Sequence, residues 1–372
     1  MNIIFWLIQI IKSFINKIKN LFCININKNK KKINFRKEKI SENLYLLKLS
    51  GTYYNMGKQY GSLMKNIIIK DVDILNDYLE LNRFKIIKNI NYNVQQKINN
   101  NTSIIDIGYL LYLEFSYFIP DYYLNFIRGI AEITEINFKT LISINLFAEF
   151  NLNNSIVYSS FKNRKTLAIK TLDLDFPRLN QSIIVFNPNR YDSYLNFNLS
   201  ILFGGTSMIS KLGIIINSSN FDYTNYSYKN RGLPISVLFH NIMLFSRNLL
   251  DVKKILNKTK LINNLDISVI DINNNHGIVY KIDDNMISVH QNSRNHDSLI
   301  YSNNFNNHLN FYFDYHYNLD KAIEIFLPTI KSGNLHIMIY YDNNIYVSNT
   351  SKKFLAYDND YIKLNFKKIF NF

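Results

Sequence analysis

The chain has 372 residues, enough to bury a large core as one α/β domain or two smaller ones, and a formal net charge of +15. Residues 1–40 hold ten Lys and Arg against Glu38 alone, a net of +9 that leaves +6 for everything else, so the basic character belongs to one arm and argues against a nucleic-acid groove across the body. The single cysteine, Cys23, lies in that arm and excludes an intramolecular disulfide, a cysteine-based metal site and a catalytic cysteine in the body; the seven histidines make no H-x-x-x-H or H-E-x-x-H pattern.

Residues 3–22 run IIFWLIQIIKSFINKIKNLF, with Gln9, Ser13, Asn16 and Lys19 or Asn20 at helical spacing, which predicts an amphipathic helix with a wide apolar face. Its longest apolar run ends at Ile8, far short of the roughly 20 residues that span a bilayer. It has neither the basic leader nor the small-residue cleavage site of a secretory signal. The favoured reading of residues 1–40 is a helix on an anionic membrane surface reinforced by a polybasic segment, with a cytoplasmic or peripheral membrane location. A helix packed on the body and followed by a basic linker is the alternative.

Glu42–Leu49 reads as a strand broken by Gly51. Tyr54–Leu81 reads as a long helix in which Gly57 and Gly61 would admit close approach of another backbone. Helical patterns continue over Ile104–Phe118, after Pro120 in DYYLNFIRGIAEIT, and after Asn137 in FKTLISINLFAEF. Two strand-like runs, Ile156–Phe161 and Thr166–Asp173, flank a turn-like stretch at Lys162–Lys165 and predict a hairpin at the seam between a helical half and a strand-rich half. Strands are expected at Ser182–Phe186, Asn196–Leu202, Leu212–Ser218, Ile267–Asp271, Gly277–Ile282, Met286–His290 and Leu299–Ser302. A helix over Pro234–Leu256, interrupted near Ser246–Asn248, another at Leu319–Leu327, and a closing hairpin of Leu335–Tyr341 and Ile345–Ser348 complete the chain. The order defines an α+β protein with packed sheets. There is no Gly-rich phosphate loop and no internal repeat, and no cofactor is expected.

Several separated blocks resemble one known family. Gly51–Gly61, GTYYNMGKQYG, is similar to G-x-x-Y-E-M-G-x-Q-H-G; Arg128–Glu132 is similar to R-G-I-A-E-G; and Phe138–Glu149 resembles the helix ahead of the family's active site. Tyr158–Phe161 falls where C-S-S-F or C-T-T stands, Lys170–Asp173 where G-R-N-L-D stands, and Tyr301–Phe305 where A-T-N-H-F stands. In order and spacing, from about Gly51 to about Tyr361, the chain resembles the penicillin acyltransferase family (acyl-coenzyme A:6-aminopenicillanic acid acyltransferase and its relatives) of N-terminal-nucleophile hydrolases, related to choloylglycine hydrolase and acid ceramidase. The resemblance implies a four-layer αββα sandwich. Residues 41–157 would be equivalent to the small pro-subunit and 158–372 to the αββα core, with 41–372 forming one compact domain. It also implies hydrolysis or acyl transfer on linear C–N amide bonds of a small-molecule amide or acyl substrate.

In that family the nucleophile attacks the preceding carbonyl, the chain is cut, and the freed α-amine serves as general base. This requires a hydroxyl or thiol on Cβ. Tyr158 occupies the nucleophile position and cannot do this, because its hydroxyl sits across a rigid ring and is protonated at neutral pH, with a reference pKa of about 10. The bond from Val157 to Tyr158 is therefore expected to stay intact. Along a strand Ser160 shares the face of Tyr158 and Ser159 takes the opposite one, so Ser160 is the better rescue nucleophile and Ser159 the other. The resemblance assigns Asp173 to the carboxylate that holds the amine and orients substrate, and Asn303 to the asparagine that donates to the oxyanion or positions substrate. It places Lys170 where an arginine binds substrate and Ser210 where the second oxyanion asparagine stands. The expectation is a non-processing, catalytically impaired homologue, with an active amidohydrolase through Ser160 or Ser159, or a membrane-surface binding or scaffold protein, as alternatives.

Overall fold

The computed structural model describes residues 36–88, 90, 92–151, 157–161, 165–173, 179–205, 207–218, 232–262, 265–283, 286–293, 298–301, 318–331 and 333–372. The helix expected within residues 3–22, the polybasic stretch to residue 35, and Asn303 lie outside the described residues. Phe35–Phe372 form one unit.

Fifteen strands in the described residues make two sheets. The larger has the order β1 (Arg36–Ser41), β2 (Leu44–Gly51), β5 (Gln181–Pro188), β6 (Tyr194–Leu199), β7 (Ser207–Ser210), β8 (Ile214–Ser218), β9 (Leu265–Asp271), β10 (His276–Asp283) and β11 (Met286–Asn292). The smaller has the order β12 (Ser298–Tyr301), β3 (Val157–Ser160), β4 (Leu167–Leu172), β13 (His336–Tyr341), β14 (Asn344–Asn349) and β15 (Ile362–Asn365). Only β2 and β5 run parallel; every other neighbouring pair is antiparallel.

The strands are apolar on both faces because both faces are covered. In β5, Ile183 and Val185 point to one core and Ile184 and Phe186 to another. The first of these cores also takes Ala168, Met338, Tyr340, Ile345 and Val347 from the smaller sheet, so it lies between the two sheets. The second joins the larger sheet to α1 (Tyr53–Leu81), α4 (Ile104–Phe115), α5 (Asp121–Thr134), α6 (Phe138–Asn151), α7 (Ile235–Phe245) and α8 (Leu249–Lys258). The short helices α2 (Arg83–Lys88) and α3 (Tyr92–Gln95) join the same layer through Ile86 and Val94. On the far side of the smaller sheet, Leu167, Ile169, Ile337 and Ile339 pack on α9, a continuous run of Leu319–Lys321, a π-helical turn at Ala322–Phe326, and Leu327–Ile330. The layers are therefore helix, sheet, sheet, helix, as the resemblance implied.

The helical layer is fastened to the larger sheet by buried polar ties. Gly51, at φ +116, ends β2, and the Thr52 hydroxyl caps α1 by accepting from the N–H of Asn55 at 3.2 Å. Asp71 of α1 accepts from the backbone and side-chain N–H groups of Asn180 at 3.1 and 2.9 Å; burial pushes its pKa up to about 6. His240 of α7 donates from Nε2 to the Phe203 carbonyl at 2.8 Å and accepts at Nδ1 from the Tyr194 hydroxyl at 2.7 Å; burial lowers its pKa to about 4.

Several boundaries differ from the sequence reading. The last residues assigned to the arm, from Arg36 to Ile40, belong to β1, whose Arg36, Lys37, Glu38 and Lys39 give the sheet a charged edge that discourages further strand pairing. The strands β7 and β15 were not anticipated, each being only four residues long. The β3–β4 hairpin and the β13–β14 hairpin form where the alternation predicted them.

Candidate functional site

The pairing of β3 with β4 fixes which side chains share a face. Val157 is opposite Lys170, Tyr158 opposite Ile169, Ser159 opposite Ala168, and Ser160 opposite Leu167. Directly opposed residues of an antiparallel pair point to the same side. Ala168 belongs to the core between the sheets, whereas Tyr158, Leu167 and Ile169 belong to the core under α9. Tyr158 and Ser160 thus face the outer helix layer, and Val157, Ser159 and Lys170 face the larger sheet. The Tyr158 ring is fully buried, with its centroid 5.2 Å from that of Phe326.

Lys170 reaches across the space between the sheets. Its ammonium donates to the carbonyl oxygen of Ser218 at the end of β8. Desolvation lowers its pKa to about 7, with Asp173 pulling the other way. A fully buried lysine that is about half neutral at physiological pH can donate a hydrogen bond or accept a proton.

Opposite Lys170 the larger sheet presents a row of small polar side chains. Ser207 of β7 is in register with Asn217 of β8, and Asn217 with Ser268 of β9. They lie on the inward face, because Ile209, Ile215 and Ile270 in the same alternation fill the core between the sheets. All three are buried, and Ser207 Oγ, Asn217 Oδ1 and Ser268 Oγ have no hydrogen-bond partner among the described residues. Ser159 Oγ, on the facing sheet, has none either. Buried polar atoms without partners are uncommon in folded proteins, and these four lie on the two sheet faces that meet across the layer holding Lys170.

His336 closes this region on the side of β13. Its ring stacks on Phe197 with centroids 4.0 Å apart, and Nδ1 lies 3.2 Å from Gln181 Oε1, which assigns the proton to Nδ1. Its Nε2 is buried without a partner among the described residues, and burial followed by the nearby Lys170 charge lowers its pKa to about 3. His336 is therefore a neutral acceptor facing the layer between the sheets at any physiological pH.

The residues expected from the resemblance are only partly brought together. Lys170 and Ser159 share the inter-sheet face. Asp173 lies at the end of β4 and accepts from the N–H groups of Gly333 and Asn334, each at 2.7 Å, so it clasps the turn ahead of β13 while also acting electrostatically on Lys170. Ser210 lies on the other side of the larger sheet, in register with Tyr194 of the helix-side core. Its hydroxyl accepts from the N–H of Ile214 at 3.0 Å and tightens the β7–β8 turn. Ser207, Asn217, Ser268 and His336 were not singled out in the sequence. An open cavity of about 550 Å³ at the β9–β10 turn, lined in part by Asn248, Asp271 and His276, is a separate feature in which Asp271 accepts from the Asn273 and Asn274 N–H groups and from the Asn274 amide. No group of metal-ligating side chains occurs among the described residues.

The four layers and their strand order define an α+β sandwich in which two packed sheets are covered by helices on both outer faces. Among solved structures the chain is similar to two mutant forms of conjugated bile acid hydrolase from Clostridium perfringens. Each is 12% identical and covers 57% of this chain and 93% of that chain, with TM-scores of 0.42 and 0.41. It is also similar to the Caenorhabditis elegans ortholog of N-acylethanolamine-hydrolyzing acid amidase, 14% identical, covering 50% of this chain and 91% of that one, with a TM-score of 0.40. No family profile matches the chain, and no curated protein does.

Proposed function

We propose that this chain is an amidohydrolase-type sandwich that does not cut itself and forms no acyl-enzyme at Tyr158, retained for binding a small amide or acyl ligand between its sheets. The observation that carries the reading is the enclosed Tyr158 ring, which packs on Phe326 under the outer helices and away from Lys170 and the row Ser207–Asn217–Ser268. A phenol lacks the reach for an attack on its own preceding carbonyl, and this one faces the outer helix layer rather than the face of Lys170. The intact mass of the purified protein is expected to be that of one uncut chain. Two fragments divided between Val157 and Tyr158 would overturn the proposal.

A second reading is favoured by one specific observation, the unpartnered Ser159 hydroxyl on the same face as Lys170, one strand away. In it Ser159 Oγ attacks the carbonyl carbon of a linear amide, its proton passes to neutral Lys170 Nζ, and the departing amine takes that proton as the C–N bond breaks. Water then releases the acid from the Ser159 ester. A fluorophosphonate probe is expected to label Ser159, with labelling lost in Ser159→Ala and kept in Ser160→Ala. Labelling that survives Ser159→Ala would remove this reading. The amphipathic and basic segment 1–40 adds attachment to an anionic membrane surface to either reading.

A further inference from the structure

Three large apolar side chains stand in solvent around the C-terminal end of α1. Leu81, the last residue of α1, is 86% exposed, Phe84 in α2 is 88% exposed, and Tyr92 in α3 is 67% exposed. The same segment buries Ile86, Ile90 and Val94, so it is held on the helical layer by one face. Phe84 and Lys88 are one helical turn apart, and each is two residues, about 200° of helix, from Ile86, which puts them on the opposite face. The segment is also tied down by polar contacts. Gln95 Nε2 donates to the carbonyls of Ile87 and Ile90 at 2.8 and 2.9 Å, and Arg83 bonds the Asn99 carbonyl at 3.4 Å. The exposed side chains are therefore presented by a fixed scaffold.

Apart from the exposed Asp77, one helical turn before Leu81, the charge that follows α1 has one sign. Residues 81–100 contain Arg83, Lys85, Lys88 and Lys97 and no Asp or Glu. The carboxylate nearest in sequence, Glu80, is engaged with Arg83 at 3.6 Å and with the N–H of Ile104 at 2.8 Å. A second copy of the same patch would bring like charges together. An apolar protein groove would accommodate the leucine and the rings and strand the cations. An anionic bilayer surface satisfies both, because its headgroups meet the ammonium groups while the apolar side chains enter the acyl boundary.

We propose that Leu81, Phe84 and Tyr92 form a membrane-docking tip, which inserts these three side chains into an anionic lipid surface while the exposed Lys88 meets the headgroups. The tip is a site distinct from the basic arm, and it does not depend on any catalytic reading of the inter-sheet site.

The experiment uses the full chain and reads the tip directly. Trp6 is the sole tryptophan, so the double variant Trp6→Phe, Phe84→Trp carries its only indole at the tip. With phosphatidylcholine vesicles containing phosphatidylserine, its emission is expected to shift to the blue and to be quenched by brominated lipid. Phosphatidylcholine alone should give little of either effect. In co-sedimentation the native chain is expected to bind the anionic vesicles, and Leu81→Ser, Phe84→Ser to lose about tenfold or more in partitioning, with an unchanged urea midpoint because both side chains are exposed. An unquenched indole on a chain that binds vesicles would assign binding to the arm and overturn the proposal. Absence of vesicle binding, or equal binding to neutral vesicles, would overturn it as well.

Discussion

Gly129→Ala is expected to destabilise the protein by about 2 kcal/mol or more, and Gly57→Ala by a similar amount, although alanine is the better helix former by about 1 kcal/mol. The two glycines face each other where α1 crosses α5. A Cβ on Gly129 would lie 2.3 Å from the Tyr54 carbonyl oxygen and 2.9 Å from the Lys58 nitrogen, and a Cβ on Gly57 would lie 2.1 Å from the Phe126 carbonyl oxygen. Those atoms are backbone and cannot rotate aside, so the helices must move apart and loosen the packing of Met56 and Tyr60 with Phe126 and Ile130 behind them. Gly61 provides the internal comparison. A Cβ there meets the Ile133 side chain at 3.0 Å and the Ile130 carbonyl oxygen at 3.3 Å, contacts that a small shift relieves, so Gly61→Ala should come out near neutral. The double variant Gly57→Ala, Gly129→Ala should lose less than the sum of the two, because helices already separated by the first methyl accommodate the second. Urea midpoints of the four variants test the ordering. A Gly129→Ala protein as stable as the native one would show that the crossing is not close-packed.

That crossing was partly legible in the sequence, since a glycine pair four residues apart in the first third of a long amphipathic helix has few uses besides close approach. The partner, Gly129, was visible only as part of the RGIAE block. The layers were legible for the same kind of reason. LAIKTL and HIMIYY are too apolar for strands with a wet face, and the sheets they form are covered on both sides.

The same double burial is what hid the site. In VYSS neither face is polar enough to declare which layer it meets, so the sequence ranked Ser160 above Ser159 by its kinship to Tyr158. The register with β4 then puts that shared face under α9. The row Ser207–Asn217–Ser268 could not be read at all, because strand pairing alone aligns residues that lie so far apart along the chain. Lys170 was the one visible clue, a charge inside an otherwise apolar strand.

Stability is expected to fall by about 4 kcal/mol between pH 7 and pH 4, driven by two histidines that fold neutral. His240 and His336 have folded pKa values lowered by burial to about 4 and about 3, against 6.5 in the unfolded chain. The unfolded state therefore takes up two protons that the folded state refuses. Their contribution is complete above pH 6.5 and is lost as the pH falls, at about 1.4 kcal/mol per pH unit for each proton. Asp71 works in the opposite sense. Its carboxyl is raised by burial to about 6 in the folded protein, so between pH 6 and 3.8 the folded state holds a proton that the unfolded state has released, offsetting about one of the two histidines. Below pH 4 the surface carboxylates add a further loss, because Asp106 and Glu135 are held below their ordinary range by hydrogen bonds from Lys139 and Lys65. Lys170 shapes the alkaline side. With its folded pKa lowered to about 7 from 10.5, the unfolded chain is the more protonated state between those values, so stability continues to climb from pH 7 toward pH 10. His336→Met should take one proton out of the acid slope, and Lys170→Met should flatten the alkaline rise, each read from urea midpoints across the pH range. An acid slope unchanged in His336→Met would mean that the ring between the sheets is already protonated in the folded protein. The layer facing Lys170 would then hold a second cation rather than a neutral acceptor.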